Sequence, residues 1–533
     1  MSDFSADLAA AYATDLPAID LGRAVHEGAV DGSVAIKLPL RMVNRHGLIA
    51  GATGTGKTKT LQGIVEQLST AGVPCVVADV KGDLSGLHDP GAADGPAPAR
   101  MADLGLPFTP TAYPTEFFAL GGIGNGIPIR ATLSDFGPQL LGKILGANET
   151  QEQSLQLVFH YADTKGLPLL DLSDLRALLT FLDSADGKAE LAGIGGLSGA
   201  TVGVLLRSLV GLAMGGGTEF FGEPQLDVAD LMRRAPDGRG IISCLELPAV
   251  QDRPTLFSTA LMWLLAELFE ALPEVGDLDQ PKLVFFFDEA HLLFKGATPA
   301  FVDSVVQTVR LIRSKGVGVF FITQTPKDIP GEVLGQLGNR VQHALRVFTP
   351  DDEASLRSTV KTYPKSDFYD VAELLVSVGT GEAAITLLSA KGTPTPVVHA
   401  RLPAPSSRMA PTDDVAAASA ASPLFAKYGT RVDAQSAREL LASRMEEAQA
   451  LDAAEAAQKA EARKEKVDGA AAPKAPAPPK AAPAPAPKKQ HKEAAGAVAG
   501  GAAVVGTFLK SREGRALIRD VGRGVFGMLK KKR

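Results

Sequence analysis

The chain has 533 residues, 45% hydrophobic and 21% charged, with a formal net charge of -6. That composition suits a large folded core with appendages and excludes a fibrous or wholly disordered chain. Two cysteines, Cys75 and Cys244, both inside apolar runs, exclude a disulfide framework and fit a reducing cytoplasm. The opening MSDFSADLAAAYATDLPAID lacks a basic stretch leading into an apolar one, so it does not read as a secretory signal. Charge is unevenly spread: residues 471–533 hold fourteen Lys and Arg against three Asp and Glu, a local +11 that leaves -17 for residues 1–470. An acidic body gives no electrostatic support for nucleic-acid binding, although a ring or cleft can focus positive charge locally.

In chain order, residues 1–45 form an amino-terminal segment in which DGSVAIKLPLRMV reads as one or two edge strands. GLIAG is a buried strand feeding a glycine-rich turn, KTLQGIVEQLSTAG has helical periodicity with a glycine stop, and VPCVVADV is the next strand. This βαβ unit predicts an α/β core with a mostly parallel sheet over residues 46–403. Residues 86–130, rich in Gly, Pro and Ala, read as loops and edge hairpins around TEFFAL and IPIRATL. Residues 136–215 read as a helical insertion. The sheet resumes at GRGIISCLEL, KLVFFFDEAH and GVGVFFITQTP, with RVQHALRVF and GEAAITLL as the last strands. Beyond Pro403 come an Ala/Glu/Lys-rich helical extension (404–470), a Pro/Ala/Lys linker (471–493) and a basic amphipathic tail (494–533), read as disordered. No membrane-spanning helix stands out; the nearest stretch, residues 494–509, is short and rich in Gly and Ala.

The segment Gly51, Ala52, Thr53, Gly54, Thr55, Gly56, Lys57, Thr58, Lys59 fits G-x-x-x-x-G-K-[ST] between a strand and a helix. Glycines let backbone N–H groups converge on phosphates, Lys57 reaches the β and γ oxygens of ATP, and Thr58 suits Mg2+ at a helix N-terminus. A plain glycine-rich turn is the bland alternative. Asp288 ends a buried strand, where a carboxylate can bind Mg2+ or its water shell, and Glu289 can polarise an attacking water. Capping of the helix from Ala290 is the other use for that acid pair. Gln324 ends the strand GVGVFFIT, either as a γ-phosphate sensor on a strand between those of the phosphate loop and Asp288, or as a turn residue before Pro326. Asp79 and Asp83 lie near the γ-phosphate or cap a turn. His46, His160, His291 and His343 lack zinc spacing.

NRHGLIAGATGTGKT, VADVKGDLSGL, FFFDEAHLLF, RLIRSKGVGVFFITQTP and LGNRVQHALR, in this order across residues 18–400, resemble the HerA-like branch of the HerA/FtsK superfamily of ring-forming DNA-pumping ATPases. The resemblance implies a RecA-like P-loop fold, ATP and Mg2+ at Lys57, Thr58 and Asp288, water activation by Glu289 and sensing by Gln324. It implies nucleotide-contacting arginines at Arg45 and Arg313, with Arg313 acting across a subunit interface; exposed helix charge is the plain use of Arg313 and Arg310, and Arg340 and Arg346 are further candidates. It also implies a hexameric ring and duplex DNA as partner. The segment before Arg45 is too short for the amino-terminal β-barrel of typical HerA proteins, and no basic patch with interleaved aromatics marks a DNA surface. The expected protein is a cytoplasmic Mg2+- and ATP-dependent motor, at the nucleoid or membrane periphery if its tail touches nucleic acid, anionic lipid or a protein partner. The alternatives are an ATP-dependent switch or scaffold, and a membrane-coupled pump for DNA or protein.

Overall fold

The computed structural model describes residues 4–276, 278–294 and 299–468. Twelve strands form one sheet: β1 (Ala18–His26), β2 (Ala29–Pro39), β3 (Gly47–Ala50), β4 (Cys75–Asp79), β5 (Thr115–Leu120), β6 (Ile127–Ile129), β7 (Ile242–Glu246), β8 (Leu283–Phe287), β9 (Val317–Thr323), β10 (Asn339–Gln342), β11 (Glu382–Thr386) and β12 (Val398–Arg401), in the spatial order β2-β1-β12-β11-β10-β3-β9-β8-β4-β7-β5-β6. From β10 to β6 every neighbouring pair is parallel. The other four strands continue the sheet antiparallel. Every residue of β3, β4, β7, β8 and β9 is buried, as expected where helices cover both faces of a parallel sheet.

Helix α1 (Phe4–Tyr12) packs on β2, and α2 (Lys57–Thr70) follows the glycine-rich loop. The helical insertion includes Leu172–Asp183, Ala185–Leu191 and Gly199–Leu212. Contrary to the expectation from sequence, its stretch Gly199–Phe220 is long and apolar enough to cross a membrane by length and composition. Val202, Leu205, Leu209 and Leu212 on it are buried, and the helix is broken at Gly216 (φ 103°).

Three features differ from the sequence reading. TEFFAL and IPIRATL do not form a hairpin; β5 and β6 run parallel across the glycine-rich link at 121–126, where a Cβ at Gly126 would lie 2.6 Å from the Phe118 carbonyl carbon. Strand β12 has only four residues after a Pro- and Thr-rich turn, too short for a period-2 signal. The core also does not stop at Pro403. The chain divides into two compact units, Met1–Phe159 with Leu169–Ala434, and His160–Pro168 with Gln435–Arg533. In the second, Ala437 N donates to Pro168 O at 2.9 Å at the start of the helix Ala437–Asp468. The linker at 471–493 and the tail at 494–533 lie outside the described residues.

In the first unit, residues 404–434 are a strap bound to the phosphate-loop helix. Glu66 on α2 is buried and accepts four hydrogen bonds, from the backbone N and Oγ of Ser406 (both 2.8 Å) and of Ser407 (3.0 and 2.5 Å). Gln62 donates to Ser407 Oγ and Arg408 O. Removing the carboxylate would leave buried donors unpaired, so Glu66→Ala should lower unfolding free energy by about 3 kcal/mol and Glu66→Gln by less. Urea titration of the two variants checks this, with an unchanged midpoint for Glu66→Ala as the contrary result.

Candidate active site

The phosphate loop is suspended between two strands. Its lead strand β3 lies between β10 and β9, and the loop is stitched to both: Gly51 N donates to Thr323 O (3.2 Å), Ala52 N to Ala344 O (2.8 Å) and Gly381 N to Thr55 O (3.0 Å). Gly51 and Gly56 have φ of 152° and 113°, and a Cβ on Gly51 would sit 2.5 Å from His343 Cβ. Only glycine meets both demands at once. Lys57 Nζ crosses the loop to Ala52 O at 3.1 Å, which also accepts from Thr55 Oγ1 at 2.7 Å. Thr58 opens α2 beside it. Lys59, grouped with the loop on sequence, turns away and donates to Met409 O and Gln62 Oε1 at 2.5 and 3.0 Å.

His343, which lacks zinc spacing in the sequence, is part of this support. Its Nε2 lies 2.9 Å from Thr60 Oγ1 on α2, and its backbone N donates to Ala50 O at 2.7 Å. Burial, reinforced by the charge of Lys57, holds its pKa down at about 4, so the ring is neutral at ordinary pH. No local sequence signal marks this role, which depends on β10 pairing with β3.

Strand β9 lies between β3 and β8, so the carboxyl ends of three adjacent strands bring Lys57, Gln324 and the pair Asp288–Glu289 to one edge of the sheet. Stacked rings set the register: Phe286 over Phe320 (centroids 5.2 Å apart) and Phe287 over Phe321 (5.4 Å). Gln324 is exposed at the tip of β9. Glu289 is buried and adopts φ 46°, a left-handed conformation that costs a non-glycine residue roughly 1–3 kcal/mol. Its Oε1 is ion-paired with Lys81 Nζ, and His291 Nδ1 lies 3.2 Å from its Oε2 without hydrogen-bond alignment. Helix capping does not account for an acid held in this way.

Asp79 combines the two sequence readings. Its carboxylate accepts from the backbone N of Lys81, Gly82 and Leu84 at 3.2, 2.8 and 2.8 Å, so it does cap a turn. Yet carboxylate oxygens of Asp79, Asp83 and Asp288 also lie within 4.8 Å of one another. Burial, strengthened by neighbouring carboxylates, pushes Asp79 and Asp288 up to about 7. Asp83 Oδ1 and Asp288 Oδ2 are buried with no hydrogen-bond partner among the described residues. An all-oxygen set with unpartnered carboxylate oxygens fits a hard divalent cation such as Mg2+.

Arg45 and Arg313 are not brought to this edge. Arg45 precedes β3 and Arg313 precedes β9, both at the amino ends of the strands, and together they flank the buried His46, whose pKa falls to about 4 through burial and then their charges. Seven residues of β9 at about 3.3 Å each put roughly 20 Å between Arg313 and Gln324. Arg340 braces the fold through Leu337 O, Thr362 O and Leu334 O, and Arg346 is exposed.

A phosphate loop, a carboxylate pair on a separate strand and an intervening strand with a polar tip define a P-loop ATPase of the additional-strand kind. The family model for the helicase HerA-like C-terminal domain matches residues 25–533, and the chain belongs to that family. No curated protein matches it by sequence. Among solved structures, the bacterial conjugative coupling protein TrwB is 14% identical, with 76% of this chain and 95% of that one covered at a TM-score of 0.51, which supports the shared fold. TrwB in complex with ADP and Mg2+ aligns at 14% identity, 74% and 96% coverage and a TM-score of 0.49; VirB4 of Thermoanaerobacter pseudethanolicus aligns at 15%, 73% and 97%, and 0.44.

The raised carboxylates have a definite sign. Their folded values lie above the unfolded ones, so their stabilising contribution is complete below about pH 4 and lost as pH rises through about 7. Asp288→Asn removes one such group. It should therefore raise the melting temperature of protein without nucleotide or Mg2+ at pH 8 and leave it nearly unchanged at pH 4; an equal shift at both would contradict the assignment.

Proposed function

We propose that this protein hydrolyses ATP with Mg2+ and uses the energy as a motor on duplex DNA, working as a hexameric ring. The observation that carries this reading is the strand order β3-β9-β8, with Lys57, Gln324 and Asp288–Glu289 at one edge. Backbone N–H groups of residues 51–58 and Lys57 bind the phosphates, with the N-terminus of α2 favouring their negative charge. Thr58 and Asp288 would hold Mg2+, with Asp79 and Asp83 alongside, and the ion would neutralise charge on the phosphate oxygens. Glu289 accepts a proton from the attacking water, and Gln324 orients that water or reports the γ-phosphate. Membership of a helicase-named family supports a DNA substrate.

Arg313 acts from a neighbouring subunit. Its distance from its own phosphate loop suits this role, because a ring site is completed by an arginine from the adjoining protomer that stabilises transition-state charge. The cytoplasm is the expected setting, with the basic tail available to nucleic acid, anionic lipid or a protein partner.

Two linked experiments test the proposal. ATP turnover should rise several-fold with linear duplex DNA, and the stimulation should weaken as salt rises because phosphate contacts release counterions. Turnover indifferent to DNA at low salt would leave an ATPase that switches or pumps another cargo. Mixing Arg313→Ala with Glu289→Gln protein should restore part of the turnover that each lacks alone, since some interfaces then pair an intact arginine with an intact glutamate. No recovery in mixtures shown by native mass spectrometry to exchange subunits would count against a shared site.

A further inference from the structure

Lys81 lies two residues past β4 in the turn that Asp79 pins, and its own backbone N donates to Asp79 at 3.2 Å. The backbone is fixed, while the side chain is 47% exposed and ends in the ion pair with Glu289, whose side chain is only 7% exposed. The lysine is therefore the partner that can swing. Its neighbourhood holds a second destination: Lys57 feels the charges of Glu289, Lys81, Asp288 and Asp83, so both lysines and the catalytic carboxylate share the space where a phosphate loop presents the terminal phosphate. An ammonium seated on Oε1 occupies the oxygen that a water would have to reach, and this grip is on the acid assigned to water activation.

We propose that Lys81 is a latch on Glu289, exchanging between that carboxylate and the terminal phosphate of a bound nucleoside triphosphate. The inference rests on Glu289 being the water-activating residue. A terminal phosphate carries up to two negative charges against one on the carboxylate, so it competes for the ammonium, whereas a diphosphate lacks the group that would do so. Transfer of Lys81 to the phosphate leaves Glu289 unpaired and able to take a proton from water. Only a nucleoside triphosphate then unlocks the base, and Lys81 is a positioning residue that ties hydrolysis to the presence of a γ-phosphate.

The competition can be read without turnover. Binding of a non-hydrolysable ATP analogue and of ADP, each with Mg2+, is measured for the full-length protein, Glu289→Gln, Lys81→Met, Lys81→Arg and the double variant Lys81→Met/Glu289→Gln. Neutralising Glu289 releases Lys81, so Glu289→Gln should tighten the triphosphate analogue over ADP by roughly three- to tenfold. The same change made in Lys81→Met protein should leave the ratio unchanged, and Lys81→Arg should retain most of the discrimination that Lys81→Met loses. An equal Glu289→Gln effect with and without Lys81 would mean simple relief of repulsion and would overturn the latch. Lys57→Ala serves as control. If the unsubstituted protein binds neither nucleotide, the ATPase reading falls and the latch with it; nucleotide binding that is intact but indifferent to Lys81 removes the latch alone.

Discussion

The register between β8 and β9 is the constraint on which the rest depends. A slip of one residue would turn the stacked pairs Phe286–Phe320 and Phe287–Phe321 to opposite faces and move Asp288 and Glu289 away from the phosphate-loop edge. Five consecutive buried apolar residues on β8 and the wholly buried seven-residue β9 make such a slip costly, because the strands are covered on both faces. The hydrophobic core therefore holds the chemistry in place: sheet packing fixes which strand tips are neighbours, and only then do side chains at those tips form a site.

Around that edge the structure accepts local costs. Glu289 is held in a left-handed backbone conformation, three aspartates crowd together, and two of their carboxylate oxygens are buried without partners among the described residues. A sequence optimised only for stability would avoid each of these. Their concentration at one place is the physical mark of a site organised for phosphate, cation and water. Glu66 stands in contrast, its carboxylate satisfied by four hydrogen bonds that tie the strap at residues 404–434 to the helix that carries Lys57 and Thr58.

Much of this was legible in the sequence because parallel-sheet strands advertise themselves as continuous apolar runs and the phosphate loop has a demanding glycine pattern. The placement of Gln324 between the strands of Lys57 and Asp288 was readable in the same way. Other features depended on contacts distant in sequence. Nothing local in HALRV signals that His343 braces Thr60, 283 residues earlier. The strap was hidden because Ser406 and Ser407 sit in a Pro- and Ala-rich stretch and become ordered through Glu66. Lys59 joined the site only by adjacency, since helical geometry turns successive side chains about 100° apart.

The central claim is that this sheet edge is a hydrolytic centre with Glu289 as its base. Its most direct test is single-turnover hydrolysis of ATP bound in excess protein, comparing the unsubstituted chain with Glu289→Gln. The account predicts that nucleotide still binds while the rate of phosphate formation falls by about a hundredfold or more. Hydrolysis at an undiminished rate in a variant that folds and binds nucleotide normally would contradict it.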